Sequence, residues 1–483
     1  MNLYRITIYR LVVYGLGIIA AVSLLFSALG LLTIPFSQLC ISLVVLLVTC
    51  YVANRLMAKV WRVTPSHESW LISALILYLI LAPARSVSHI IAAGIVGIIA
   101  MASKYIIAYR GRHIFNPAAL ATAAIALTGL SAATWWVGTP SLALLVAVLA
   151  GLVVMRLRLY RLAAGYVVAA VTTAVFVAVS NDVSPAVAFN DLILASPFLF
   201  LGGIMLTEPA TLPGSKRWHI LYGALVGVLL TGQLTLFGQF VTPSLALLFA
   251  NLFAYALNKR QGFTMTLRDI HRQSDGLYRF QFSPSQPLSF TPGQYMHWTV
   301  PVKRLDGRGN RRMFSIASAP GDDCVTLGIR VSPNGSAYKR SLLSMKPGDT
   351  LQAGFITGDF TLPKNAAEPV VLIASGIGVT PFISMIRHAL LHPDDRSLTL
   401  YYFVRSKQDI YEAETLAQAS KAGHHIHYLI DKSPEALGDV MSIDQATTYY
   451  VSGPPLMVDG TRQVLTRYGV PKRHIKTDYF DGY

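Results

Sequence analysis

Two textures divide the chain. Between residues 11 and 257, apolar runs of about membrane-spanning length follow one another across short polar breaks. From about Lys259 onward the apolar runs shrink to strand length and charge density rises. About 20 apolar residues are needed for a helix to cross the hydrocarbon core of a bilayer. Ten such spans are predicted, at roughly 11–33, 36–54, 70–84, 88–108, 117–130, 140–157, 163–180, 190–207, 218–240 and 242–257. The first is too long for the apolar region of a signal peptide and has no convincing cleavage site, so it is expected to stay as a helix.

Loop charges test that count. Alternate loops carry Arg5 and Arg10; Arg55, Lys59 and Arg62; Lys104, Arg110 and Arg112; Arg156, Arg158 and Arg161; Lys216 and Arg217; and Lys259 and Arg260. The intervening loops hold Arg85, Asp182 and Asp191. The positive-inside rule then places both termini and the whole second half in the cytoplasm, with the chain integral to the inner (cytoplasmic) membrane and the lipid bilayer as partner. Much of the net charge of +16 is accounted for by these loops, and no basic-aromatic stripe suggests a nucleic-acid partner.

In the second half, residues 262–363 alternate in short runs such as "LYRFQFS" and "CVTLGIRV", separated by the turn sequences "TPGQ", "SPNGS" and "KPGDT". After Pro369 the pattern becomes buried strand, glycine turn and amphipathic helix, as in "PVVLIASGIGVTPFISMIRHAL". The expected fold class is therefore multi-domain. A polytopic α-helical membrane domain (1–258) is followed by a β-barrel (259–365) and an α/β nucleotide-binding domain (366–483).

Chemistry enters through three segments. In "RRMFSIAS", Arg312 and Phe314 share one strand face and Ser315 the other, with Met313 between. A guanidinium suits a pyrophosphate, an aromatic ring can stack on an isoalloxazine, and a small hydroxyl can meet its N5 edge. Arg330 ends the next strand, and Gly335 and Ser336 open a short helix whose N–H groups suit the same pyrophosphate. In "SGIGVTP", Gly376 and Gly378 let the backbone approach a dinucleotide phosphate, while Thr380 and Pro381 begin a helix. In "YYVSGPPLM", Ser452, Gly453 and Pro454 lie at the carboxyl end of a strand, where ligands of parallel sheets bind.

In this order and spacing the three segments resemble the ferredoxin–NADP⁺ reductase superfamily, over residues 262–483. The resemblance implies FAD (or FMN) on the Arg312–Ser315 strand and NAD(P)H on the glycine turn and the Ser452–Pro454 strand, with Ser315 and Ser452 as the catalytic candidates. Phe314 stands where tyrosine is commoner and Ser452 where cysteine is usual. Phe480 or Tyr483 takes the place of the family's aromatic near the flavin. The basic Arg405-Ser406-Lys407 after "TLYYFV" favours a 2′-phosphate, yet "VRSKQDIYEAE" is similar to the flavin subunit of the sodium-pumping NADH:quinone reductase, which uses NADH. The nucleotide is expected to be NAD(P)H.

The membrane half is interrupted at "YRGRHIFNPAAL" (109–120) and again at "GGIMLTEPATLPGSKRWH" (202–219). Both breaks resemble the B subunit of the same sodium-pumping reductase and the D subunit of the Rnf complex. The resemblance implies repeats with broken helices whose half-helix ends point into a cavity. His113, Asn116, Pro117 and Glu208 become the candidate electron-carrier site, with Thr207 and Thr211 nearby. That family's covalent FMN sits on a threonine of a Ser-Gly-Ala-Thr sequence. Here the matching loop reads Ser131-Ala132-Ala133-Thr134, without the glycine, and Trp135 and Trp136 read equally as anchors at the outer interface. A bound FMN, riboflavin or quinone at the Asn-Pro break fits the resemblance better than a covalent flavin.

Cys40, Cys50 and Cys324 form no CxxC, so no iron–sulfur cluster or other metal is expected. His67, His89, His113 and His219 never share a span, which argues against paired haem ligands. Two function classes remain. One is a membrane flavoprotein oxidoreductase that passes electrons from NAD(P)H through FAD to an unidentified acceptor. The other is a transporter or channel whose flavin domain senses redox state.

Overall fold

The long apolar runs become helices wherever no proline or glycine-rich break intervenes. The computed structural model of the chain describes residues 8–61, 68–109, 112–236, 238–258, 262–302, 310–332, 335–392 and 396–480. Expectations placed on Arg5, Arg62, His67, Arg110, Lys259, Arg260, Tyr483 and the side chain of Arg112 fall outside them. The chain separates into two units, Met1–Arg260 and Gln261–Tyr483.

The N-terminal unit comprises α1 (Ile8–Ala28), α2 (Phe36–Val60), α3 (Ser69–Ile80), α4 (Val87–Ile106), α5 (Pro117–Ala126), α6 (Pro140–Leu157), α7 (Tyr160–Ser180), α8 (Pro185–Leu194), the short α9 (Phe198–Phe200), α10 (His219–Thr231) and α11 (Pro243–Asn258). A hairpin of β1 (Ala108–Tyr109) and β2 (Arg112–His113) joins α4 to α5, and one of β3 (Thr235–Leu236) and β4 (Gln239–Phe240) joins α10 to α11.

Among the described residues five helices, α1, α2, α4, α6 and α7, are long and apolar enough to cross a membrane. A sixth follows if α8 and Phe198–Met205, bent by 57°, make one span. The remaining four of the ten predicted spans fall short, because α3, α5, α10 and α11 have 12, 10, 13 and 16 residues. At 1.5 Å per residue even the longest of these reaches only about 24 Å. The end of α3 gives a physical reason. Instead of continuing as helix, the chain at Leu79–Ala82 pairs with Ala132–Val137 through Ala82 N–H to Ala132 O (3.1 Å), Trp135 N–H to Ile80 O (2.9 Å) and Val137 N–H to Leu79 O (3.2 Å). That pairing also buries Trp135 and Trp136, whose indoles were expected at the membrane surface. Helices α7 and α10 pack backbone to backbone: a Cβ on Gly223 would lie 2.3 Å from Leu162 O, so only glycine permits this approach.

The C-terminal unit has two layers. Strands β5 (Gly262–Ser274), β6 (Leu277–Pro284), β7 (Tyr295–Thr299), β8 (Arg311–Ser315), β9 (Val325–Arg330) and β10 (Thr350–Thr357) form an antiparallel sheet in the order β8-β7-β10-β5-β6-β9, with α12 (Ala337–Leu343) between β9 and β10. Among the described residues no ladder pairs β8 with β9, the outer strands of the sheet. Its outer strands meet just past β8, where Ala317 N–H donates to Thr326 O (2.9 Å). Trp298, Phe280, Phe282 and Leu327 fill its core.

The second layer is a parallel sheet of β11 (Val370–Ser375), β12 (Thr399–Val404), β13 (His425–Ile430), β14 (Thr448–Gly453) and β15 (Ile475–Tyr479), ordered β13-β12-β11-β14-β15. Helices α13 (Thr380–Leu391), α14 (Ala413–Lys421), α15 (Leu437–Val440) and α16 (Pro455–Arg467) intervene. The strand period of two explains the helices on both faces. Leu372 and Ala374 join one core with Phe382 and Ile386, whereas Ile373 joins another with Val458 and Leu465. Each large apolar side chain fully buried this way stabilises the fold by about 1.5–3 kcal/mol.

Candidate functional sites

The parallel sheet reverses its strand order between β11 and β14, and ligands of such sheets bind in the crevice at that switch point. Both predicted nucleotide segments arrive there. Gly376 follows β11 with φ +54°, a left-handed conformation that glycine adopts without cost. Gly378 is held by proximity: a Cβ there would lie 2.6 Å from Gly453 Cα and 2.7 Å from Ser452 O. The two segments therefore touch through backbone. Thr380 is buried and its hydroxyl donates to Ile377 O (3.1 Å), while Pro381 occupies the first turn of α13. Phe480 N–H donates to Gly453 O (2.9 Å), which sets Phe480 beside exposed Pro454.

Ser452 is buried, and its hydroxyl has no hydrogen-bond partner among the described residues. Leaving a buried hydroxyl unpaired costs about 1–3 kcal/mol, and such groups call for an explanation beyond packing. Here the hydroxyl lies at the carboxyl end of β14, beside the glycine turn.

On β8, Arg312 and Phe314 turn to one face and meet the same ring: the guanidinium carbon is 5.2 Å from the Tyr338 centroid, and the Phe314 ring is 5.9 Å from it. Met313 is exposed and Ser315 is buried. Gly335 and Ser336 are occupied locally, since Ser336 Oγ accepts from Lys339 N–H (3.3 Å) and Gly335 O accepts from the Arg340 guanidinium. Arg330 pairs with Asp409, and Ser406 donates to the same carboxylate (3.2 Å), while Arg405 is exposed. Tyr402 hydroxyl links these parts, donating to Gly376 O (3.0 Å) and accepting from Tyr411 N–H (3.3 Å).

Glu412 ties the two layers of this unit together. Its side chain is 3% exposed; Oε2 accepts from Arg387 of α13 (2.6 Å), and Oε1 accepts from Arg279 of β6 (3.2 Å). Burial pushes its carboxyl up, and the two guanidinia overcome this and hold it below the ordinary glutamate range. A lowered folded-state pKa stabilises the fold above the unfolded value of about 4.3, and the contribution is lost as pH falls through the folded value. Glu412→Gln is expected to lower stability at neutral pH by about 2 kcal/mol, the arginines being partly hydrated. The difference from the parent should shrink below pH 4 in thermal unfolding at stepped pH. A constant difference across that window would contradict the assignment.

In the N-terminal unit the Asn-Pro break builds a polar hub. Asn116 caps α5, its Oδ1 accepting from Ala118 N–H (3.1 Å) and Ala119 N–H (3.0 Å), with Pro117 in the first turn. Its amide nitrogen is left to donate to Glu208 Oε2 (2.9 Å), and His113 Nε2 meets Glu208 Oε1 at 2.8 Å. The second break is built differently, from a π-helical turn at Leu201–Met205 and a Thr207 hydroxyl turned back to Gly203 O (3.0 Å). Asn116, Pro117, Thr207 and Glu208 line a cavity of about 70 Å³ whose other walls include Ile8, Val12, Ile72 and Ile204. Thr134 is exposed and does not line it.

Sequence reasoning missed several members of these sites. Lys104, a loop charge by sequence, turns inward, lines the same cavity and donates to Ser69 O and Oγ (2.8 Å each). Asn251 supports the break by accepting from Asn116 N–H (2.7 Å) while donating to Tyr222 hydroxyl (2.9 Å). Tyr338, Asp409 and Glu412 were also missed. Only the apolar periodicity around Lys104 and Asn251, which places both on helix faces, hinted at burial.

Comparison with known proteins bears on the C-terminal unit. Residues 372–463 match the oxidoreductase NAD-binding domain. The aromatic O-demethylase reductase subunit of Amycolatopsis sp. is 28% identical over 213 residues, 41% of this chain and 62% of that protein. The ferredoxin–NAD(P)(+) reductase component of the naphthalene 1,2-dioxygenase system of Pseudomonas putida is 26% identical over 230 residues, 44% of this chain and 68% of that protein. Among solved structures, the Amycolatopsis cytochrome P450 reductase GcoB is similar at TM-score 0.40 and 27% identity, over 45% of this chain and 69% of that one. The chain thus spans about three fifths of the first relative. The C-terminal unit is similar to NAD(P)H-dependent reductase components, with an oxidoreductase NAD-binding domain matched over residues 372–463.

Proposed function

We propose that the chain is a membrane-bound flavoprotein oxidoreductase that oxidises NAD(P)H in its C-terminal unit and delivers the electrons to an acceptor held by its helical unit. The observation that carries the first step is the backbone contact of Gly378 with Gly453 beside the unpartnered Ser452 hydroxyl, at the switch point of a matched NAD-binding sheet. FAD, when bound, would take hydride from NAD(P)H and release electrons singly.

The residues fit both groups. The glycine turn offers N–H groups at the start of α13 to the dinucleotide phosphates, and Ser452 offers its hydroxyl to the nicotinamide. Arg312 and Phe314, side by side over Tyr338, supply a phosphate-binding guanidinium and a stacking ring on one strand face; Ser315 lies next along the strand. Ser336 is committed to capping α12, so Arg312 is the main pyrophosphate donor here.

For the acceptor, the cavity at the two helix breaks, about 70 Å³, has room for the carbonyl edge of a quinone or flavin ring and not for the whole ring system. Lys104, Asn116 and Glu208 provide polar contacts at one end, and apolar walls complete it. The five long apolar helices support a membrane setting for that site.

The test is made on full-length protein purified in mild detergent and supplied with FAD. Acid extraction is expected to release one FAD per chain, and anaerobic addition of NAD(P)H to bleach the bound flavin. A chain that retains no flavin after reconstitution would overturn the proposal.

A further inference from the structure

The segment after β12 contains the acid that a ribose site needs, although it is not where strand-end spacing would put it. Arg405, Ser406 and Lys407 leave the carboxyl end of β12, next to β11 and its glycine turn. The chain then tightens into a 3₁₀ turn at Lys407–Asp409, in which Asp409 N–H donates to Ser406 O (3.1 Å). That turn brings Asp409 back onto the patch. One carboxylate oxygen accepts from the Ser406 hydroxyl (3.2 Å), and the other pairs with Arg330 of β9. Tyr402, which holds the glycine turn through Gly376 O, also accepts from Tyr411 N–H (3.3 Å), two residues after Asp409, so the segment carrying Asp409 lies beside the turn.

We propose that Asp409 is a specificity-determining residue that sets the nucleotide site to prefer NADH over NADPH. The proposal rests on the NAD(P)H-oxidising function above. Two donors beside the loop, the Ser406 hydroxyl and the Arg330 guanidinium, are already engaged by the Asp409 carboxylate and so are not free for a 2′-phosphate. A 2′-phosphate carries a charge of about −1.5 to −2 at neutral pH and would meet that carboxylate as a like charge. An unmodified ribose 2′-hydroxyl is neutral and donates to a carboxylate, the arrangement that selects NADH in sheets of this kind. Arg330 and Arg405 hold the Asp409 carboxyl below the ordinary aspartate range against the opposing effect of burial, so the carboxylate is ionised when the enzyme works. Arg405, one of the basic residues that suggest NADPH, thus faces a carboxylate carried by its own loop.

The experiment uses the FAD-loaded full chain in detergent, with ferricyanide as acceptor, and compares the parent with Asp409→Asn and Asp409→Glu. Binding of AMP and of 2′-phospho-AMP to the same proteins is measured by calorimetry. The parent is expected to show the higher kcat/KM with NADH. Asp409→Asn should move the NADPH-to-NADH ratio of kcat/KM upward by about tenfold, the effect of one nearby charge, and tighten 2′-phospho-AMP relative to AMP. Asp409→Glu should keep the parent's preference. A parent that prefers NADPH, or an Asp409→Asn ratio that stays put or moves toward NADH, overturns the proposal. A parent that oxidises neither nucleotide overturns the underlying function instead, and the two adenylates then decide the preference of Asp409 by themselves.

Discussion

Gly378→Val is expected to lower kcat/KM for NAD(P)H by about a hundredfold or more, read as ferricyanide reduction by the FAD-loaded full chain. A Cβ at Gly378 would lie 2.6 Å from Gly453 Cα, 2.7 Å from Gly453 N and 2.7 Å from Ser452 O. All three are backbone atoms, which cannot swing aside as a side chain can. Relieving the overlap must separate β11 from β14 at the switch point, where the dinucleotide would lie. Overpacking of this kind costs about 1–3 kcal/mol or more, and 1.36 kcal/mol off the transition state is tenfold in rate. Gly376→Ala is the informative contrast. Its Cβ would meet nothing within 4 Å, and its penalty comes from φ +54° alone, about 1–2 kcal/mol. Flavin content and circular dichroism of both variants separate a damaged crevice from an unfolded unit. A Gly378→Val protein with parental kcat/KM would remove the glycine turn from the nucleotide site.

Glu208→Leu is expected to separate the two halves of the reaction. Reduction of a short-chain quinone by NADH should fall by about a hundredfold, whereas ferricyanide reduction should stay within about twofold of the parent. Glu208 is the shared acceptor of His113 and Asn116 at the first helix break, and it lines the cavity with Lys104. Leucine removes the charge and leaves the Asn116 amide, the His113 ring and the Lys104 ammonium without their anionic counterpart. Truncating one member of such a set costs about 3–5 kcal/mol where the rest stays buried. Equal loss with both acceptors would indicate general misfolding, and full quinone activity would place the acceptor elsewhere.

The legible parts of this chain are those in which local chemistry leaves little choice. "SGIGVTP" after an apolar strand could be read because glycine adopts φ +54° at Gly376 without cost and only glycine permits the 2.6 Å approach at Gly378. Asn116-Pro117 could be read as a helix start for a similar reason, since an asparagine cap and a first-turn proline suit that place. Hydropathy reports how apolar a run is and not the path it takes. Ser69–Ile80 is among the most apolar stretches, yet it stops short because Leu79–Ala82 pairs with Ala132–Val137. Lys104 had the composition of a loop charge and only the fold turned it toward Ser69. Asp409 and Glu412 find partners 79 and 133 residues away, at Arg330 and Arg279, and no local pattern announces such pairings. The antiparallel sheet lies between these cases: its strands follow from alternation, whereas barrel closure depends on how its outer strands meet.

One chain that links NAD(P)H oxidation to an acceptor in its helical unit must reduce a membrane-dissolved carrier. The most direct measurement places the FAD-loaded protein in sealed proteoliposomes containing a long-chain quinone, without oxygen, and follows NADH and quinol together. Quinol is expected to form in step with NADH consumed, and only when FAD is bound. Reduction of the flavin by NADH with no quinol formed, while added ferricyanide still accepts the electrons, would contradict that link.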